Sequence, residues 1–337
     1  MDIQFYQTGV FLLIVLFFYL FSLLDGFDLG IGMMLPFARG NGAAAGLVSH
    51  IAPFWDGNEV WLVIGAGFVF GAFPAVLGLL LGAIYLPFLL LIGGLILRAM
   101  ALEYSYHDLA HQRMWHLVAA CGSYLVTGLG LYFLGTILQG LPFVGPGKLS
   151  AYAGDYVSAF PVLFSLAGIV VVIWHGATYA LRQDPAEARL KGTCKFWWAL
   201  LGASLVLIAA WFAFLPQAAT KPLAMAGGGL FIFGVIGGRL ALRRKGWAFR
   251  FSCCNVTGLW LLILASLYPV VLPAYQHPEW SLTIASASAP LSTLKILLVV
   301  GVLLVPIIIA YSYFTYRVFR RPGKRIQDSV FRIKIEN

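Results

Sequence analysis

Two carboxylates three residues apart, Asp25 and Asp28, interrupt an apolar run from Thr8 to Phe37 in the string SLLDGFDLGIGMM (22–34). A second pair at the same spacing, Asp56 and Glu59, opens the next apolar stretch in WDGNEVWL (55–62), beside Trp61. A third stretch ends in LILRAMALEY (95–104), which carries Arg98 and Glu103. A charged side chain at the centre of a bilayer costs roughly 2.5–3.5 kcal/mol on insertion scales, so intramembrane acids mark proton relays or ion sites. Several carboxylates sharing one arginine cannot all ionise cheaply, which suits groups that take up and release protons. The alternative is an interfacial ion-pair cluster in which Arg98 neutralises one acid and orients the helices. Spacing alone leaves both readings standing.

The elements that must position these groups follow from composition. Of 337 residues 61% are hydrophobic and 10% charged, and the mean hydropathy is +0.89, which excludes an ordinary soluble domain. The expected fold is an all-α polytopic membrane protein of about nine spans, at 8–30, 55–73, 75–97, 117–138, 160–181, 196–216, 224–240, 254–273 and 292–316. The second and third are divided only at Pro74. The whole chain, 1–337, forms a single integral membrane unit, arranged as two four-helix bundles (approximate halves 1–138 and 160–273), one additional helix (292–316) and a basic cytoplasmic tail (317–337). Segment 139–159, rich in Gly, Pro and small residues, reads as an ordered outer loop.

The net charge of +9 has a topological origin. Of the 22 Lys and Arg, all but Lys148, Lys221 and Lys295 fall on one side of this arrangement, giving an N-out/C-in orientation by the positive-inside rule. No nucleic-acid motif accompanies the basicity. The tail reads first as a stop-transfer anchor, and its basic run would also attract anionic lipid at the inner face. The first ten residues lack the basic region of a cleavable signal, so the first helix is expected to stay in the protein. The four cysteines form no C-x-x-C pair and read as small membrane hydrophobes.

The topology puts Asp25 about 25 Å into the first helix at 1.5 Å per residue, toward the inner face. Asp25 and Asp28 share a helix face. Gly26, Gly30 and Gly32 around them admit a closely packed neighbour. Asp56, Glu59, Arg98 and Glu103 are expected at the same depth, and the acids Asp25, Asp28 and Asp56 on the face that meets a partner, away from lipid. Of the six histidines only His175 is expected on a span, which supplies at most one axial ligand to a haem. His107 and His111, four apart beside Asp108, read as a solvated surface pair, with no metal site.

The strings LDGFDLGIG (24–32), WDGNEVWL (55–62), HGATYALR (175–182) and SLTIASAS…STLKILLVVGVLLVPIIIAYSYFTYRVF (281–319) resemble subunit II of the cytochrome bd-type ubiquinol oxidases, leaning toward the cyanide-insensitive branch. The resemblance runs from the first helix to the last. It implies a subunit, not catalytic alone, of a terminal oxidase in the bacterial cytoplasmic (inner) membrane, which oxidises quinol, reduces O2 to water and takes protons from the cytoplasm. It implies a heterodimer with a haem-bearing subunit I, which holds haems b and d, and no haem bound by this chain alone. In some members a small accessory single-helix subunit or a structural quinone is added. On the same resemblance Asp25, Asp28 and Asp56 match intramembrane acids near the subunit interface, Asp56 is linked to proton delivery, and Trp61 matches a tryptophan on an oxygen-access route. The competing class is a proton-coupled secondary transporter, with the glycine-rich first helix as a broken helix.

Overall fold

The computed structural model describes residues 2–38, 42–185, 187–244 and 246–318. Helix follows apolar sequence almost throughout, because a backbone in hydrocarbon must satisfy its own hydrogen bonds. In chain order the helices are α1 (Ile3–Met34), α2 (Ala43–Ile51), α3 (Trp55–Ala72), α4 (Pro74–Ala83), α5 (Tyr85–His107), α6 (Gln112–Gln139), α7 (Ala159–Gln183), α8 (Glu187–Phe214), α9 (Pro216–Ala219), α10 (Pro222–Leu240), α11 (Trp247–Leu267), α12 (Ile284–Ala287) and α13 (Leu291–Val318). Among the described residues eight helices are long and apolar enough to cross a membrane, nine if the bent pair α3–α4 is counted as one span. The expected basic tail from residue 319 onward lies outside the described residues.

Two of the expected span boundaries fail at prolines. The third span does not begin after Pro74. That residue starts the short α4, which turns 114° away from α3, and the span proper is α5, from Tyr85. Proline is pre-organised for a first helical turn but has no N–H to continue the preceding helix. The expected span 254–273 is in fact α11, which ends at Leu267. Tyr268 precedes Pro269 and adopts extended backbone, as steric clash with a following proline requires. The chain then runs as a strand, β3 (Val270–Leu272).

The helices pack around α1, which touches α3, α6, α7, α11 and α13. It is continuous through the DGFDLGIG string, so the broken first helix expected of a transporter is absent. Its crossing with α7 has glycine on both sides. A Cβ on Gly30 would stand 2.2 Å from the Val172 carbonyl oxygen, and one on Gly176 would meet the Gly30 backbone at 2.5 Å. Gly94 and Gly122 do the same for α5 and α6, and Gly227 and Gly258 for α10 and α11. Without a hydrophobic drive between helices in lipid, such close backbone approach supplies the association energy. Gly32 is equally tight, against Ser123. Gly26 is not: a Cβ there would make only ordinary contact, 3.7 Å from the His175 ring, which corrects its expected role in close packing.

At the opposite end from Asp25 and Asp28, the loop 139–159 forms a hairpin of β1 (Phe143–Gly145) and β2 (Lys148–Leu149) and a 3-10 turn at 153–156. The segment after α11 pairs β3 antiparallel with β4 (Leu282–Thr283). A parallel bridge joins the two loops: Leu141 N–H donates to Pro273 (2.8 Å) and Tyr275 N–H to Leu141 (3.0 Å).

The contrast between the two glycines is testable. Gly30→Ala should destabilise the protein by about 1–3 kcal/mol through overpacking. Gly26→Ala should be neutral or stabilising, since alanine is the better helix former by up to about 1 kcal/mol. Thermal unfolding of the two purified variants checks both, and equal loss would remove the Gly30–Gly176 crossing as the tight point.

Candidate functional site: a buried carboxyl cluster

Asp25 lies in the C-terminal third of α1, and Arg98 reaches it from α5 as a two-pronged pair. Arg98 Nη1 donates to Asp25 Oδ2 and Nη2 to Oδ1, both at 2.8 Å. Nη2 also donates to Glu59 Oε2 of α3 at 2.9 Å. Asp25 is 0% and Arg98 1% exposed, whereas Glu59 is 19% exposed. The planar guanidinium suits this arrangement, since its fork matches a carboxylate bidentately and leaves a prong for a second acid.

One helical turn along α1, Asp28 takes no share of Arg98. Its Oδ2 accepts from Asn58 Nδ2 of α3 at 2.7 Å, while Oδ1 has no protein partner. Asn58 Oδ1 in turn accepts from the hydroxyl of Tyr316, on the last turn of α13, at 3.1 Å. The Tyr316 ring stacks on Phe54, centroids 4.1 Å apart. Arg98 Nε, like Asp28 Oδ1, is buried without a partner. Buried polar atoms left open at one locality point to bound water. Three carboxyls thus face one guanidinium, with one oxygen and one N–H unspent.

The remaining expected members lie elsewhere. Glu103 is corrected: it is 66% exposed and pairs with His107 at 3.4 Å. Five residues from Arg98 is about 140° around a helix, so the two cannot share a face. Asp56 is exposed in the first turn of α3, one turn outside Glu59. Asp25 and Asp28 do not lie on a face open to a partner, as expected, but are enclosed within the chain. Trp61 is fully buried and stacks on Phe17, centroids 6.1 Å apart.

The histidines separate likewise. His175 of α7 is buried with both ring nitrogens engaged: Nε2 donates to the Leu23 carbonyl at 3.0 Å, and Nδ1 contacts Ser252 Oγ of α11 at 2.8 Å. Thr178 donates to the same Ser252 hydroxyl at 2.9 Å. This node ties α7 and α11 to α1 two residues before Asp25. His175 is not the only buried histidine on a span, which corrects the expectation: α6 begins earlier than expected, and His116 in its first turns is buried too. His111 contacts Asp108 at 3.0 Å in the α5–α6 turn, and the bond from Trp115 Nε1 holds the Asp108 carboxyl below its usual range. Among the described residues no group of three or more His, Cys, Asp or Glu converges as a metal site.

Sequence reasoning missed Tyr316 and Ser252 and gave Asn58 no partner. The signal for Asn58 was available, since it sits two residues from Asp56 and one from Glu59 on a helix that must turn one side toward α1. Tyr316 carried none, being one of three tyrosines in YSYFTY (311–316) and more than 250 residues from its partner.

A family profile described as cytochrome bd terminal oxidase subunit II matches residues 6–319. Among curated proteins, the chain is 29% identical to the cytochrome bd ubiquinol oxidase subunit 2 of Bacillus subtilis, covering 92% of this chain and 95% of that one. It is 28% identical to the cytochrome bd-I ubiquinol oxidase subunit 2 of Escherichia coli K12, covering 88% and 89%. Among solved structures, a chain of the bd oxidase from Geobacillus thermodenitrificans shares the fold with a TM-score of 0.69 at 15% identity, over 95% of this chain and 99% of that one. With nearly its whole length matched, and with Asp25, Asp28 and Glu59 of its motif strings gathered around Arg98 and Asn58, this chain belongs to the cytochrome bd terminal oxidase subunit II family.

Proposed function

We propose that the Asp25–Arg98–Glu59 and Asp28–Asn58–Tyr316 assembly is a proton-holding site, through which this chain serves its partner in a bd-type quinol oxidase. Family membership makes the chain a subunit of a terminal oxidase, an oxidoreductase complex, and does not favour a transporter. The observation that carries the proposal is the ratio of three carboxyls to one guanidinium in a desolvated site. Full ionisation would leave two uncompensated negative charges there, so the cluster is suited to gain and lose protons as it works.

The gradient of exposure suggests an order. Asp56 meets solvent, Glu59 is partly open, and Asp25 and Asp28 are closed off. Protons taken up at Asp56 would pass by Glu59 to the Arg98–Asp25 pair and, through the unspent Asp28 oxygen, onward by water. The distribution of basic residues supports uptake from the cytoplasmic side. Haem binding does not fit this chain's own histidines: both nitrogens of His175 are committed, and His116 stands alone. The haems are therefore assigned to subunit I, with this chain supporting assembly of their sites.

Three outcomes test this reading. Asp56→Asn should cut quinol oxidase turnover per haem by up to about 100-fold in a correctly assembled complex, with Asp56→Glu retaining part. Normal turnover in the Asn variant would move uptake elsewhere. Arg98→Met should destabilise the complex by about 3–5 kcal/mol, because it strands buried carboxylates, and adding Asp25→Asn should recover part of that loss. Full stability of the single variant would mean the pair is not desolvated in the complex. His175→Gln should leave haem per heterodimer unchanged by pyridine haemochrome. Loss of one haem from an intact heterodimer would make His175 a ligand.

A further inference from the structure

The turn between α10 and α11 gathers arginines that the carboxyl cluster does not use. Arg239 closes α10, Arg243 and Arg244 stand exposed in the turn, and Arg250 lies in the first turns of α11. Arg182, from the end of α7, packs beside the turn, its side chain 3.6 Å from where a Cβ of Gly246 would sit. Among the described residues none of the five makes a salt bridge, and Asp184, the acid nearest Arg182 in sequence, is itself engaged. Three are instead propped on rings: Arg182 over Phe249 (5.5 Å), Arg239 over Trp197 (5.9 Å) and Arg250 over Trp247 (4.6 Å). The Trp197 indole is fixed by its own bond to the Val235 carbonyl at 2.9 Å. Stacking holds a guanidinium plane in place while its N–H fork stays available to a phosphate.

Immediately beyond the arginines, α10 presents an apolar stripe outward. Phe233, Ile236 and Leu240 are 57%, 51% and 78% exposed, spaced three and four apart on one face. The stripe is about 10 Å long at 1.5 Å per residue, and it ends at the turn that carries Arg243 and Arg244. Positive charge that no acid among the described residues answers, aromatic props at the membrane boundary, and an apolar track leading away from the charge match the two ends of one kind of molecule.

We propose that this corner is a binding site for an anionic phospholipid, its phosphodiester among Arg239, Arg243, Arg244 and Arg250 and an acyl chain along Phe233, Ile236 and Leu240. The site is separate from the carboxyl cluster and does not depend on its role. A topological function for the arginines would need only their charge; it requires neither the stacking nor the stripe.

The test uses the purified heterodimer, delipidated in detergent and titrated with phosphatidylglycerol while bound lipid is counted by native mass spectrometry. Phosphatidylglycerol is expected to bind at least about tenfold more tightly than phosphatidylcholine. The Arg243→Gln/Arg244→Gln/Arg250→Gln variant should weaken it about tenfold or more, with turnover per haem unchanged. Should that variant fail to insert, Ile236→Ser/Leu240→Ser keeps every arginine and should still lower phosphatidylglycerol affinity severalfold. Equal binding of the two lipids, unchanged affinity in either variant, or displacement of the lipid by millimolar glycerol 3-phosphate or by a polyglutamate peptide would overturn the proposal, the last two by revealing a phosphate site or an acidic protein surface.

Discussion

The two-pronged bond between Arg98 and Asp25 is the constraint on which the packing around α1 depends. Neither group could be placed alone at that depth without a large desolvation cost, so each requires the other in register. The register is enforced from behind. A Cβ on Gly122 of α6 would stand 2.9 Å from the Arg98 backbone nitrogen, so α6 can lie against α5 at the level of the guanidinium only because glycine is there. Gly32 brings α1 equally close to Ser123 of α6. Three helices are thus triangulated by one ion pair and two contacts that leave no room for a side chain. Glu59 and Asp28 then inherit their positions from a frame already set.

A second polar anchor lies on the other side of α1. The His175–Ser252–Thr178 node bonds to the Leu23 carbonyl, two residues before Asp25, and couples the later helices to the turn that holds the acids. Together with the Gly30–Gly176 crossing, it makes α1 the shared element of the early and late helix groups. An alternating-access transporter needs its halves to rock about a substrate site. Here the central helix is unbroken and pinned from both sides, which suits a static support for a neighbouring reaction centre.

Much of this was legible beforehand, for identifiable reasons. Apolar runs long enough to span a bilayer are hard to misread, and carboxylates inside them stand out by cost alone. That Arg98 would meet one of the acids was also readable, because they sit at the same end of their spans, but which acid it would take was not. What failed was angular. Glu103 shares the depth of Arg98 but not its side of the helix, and a sequence read for depth does not weigh the 100° between successive residues. Boundaries failed at Pro74 and Pro269, where hydrophobicity runs straight through a backbone break. Tyr316 was invisible because the approach of the last helix to the first depends on packing of the helices in between.

That last contact bears on how the protein comes into being. Asp25 and Asp28 are translated before every group that answers them. The guanidinium that answers Asp25 follows 73 residues later, and the phenol that completes the Asn58 link follows Asn58 by 258. Until Arg98 is made the first helix therefore carries an acid without its guanidinium, and the Asn58 link to Tyr316 waits for the last helix. A chain truncated before Arg98 would hold an intramembrane carboxyl with no guanidinium to answer it, and one truncated before Tyr316 an Asn58 link left unfinished.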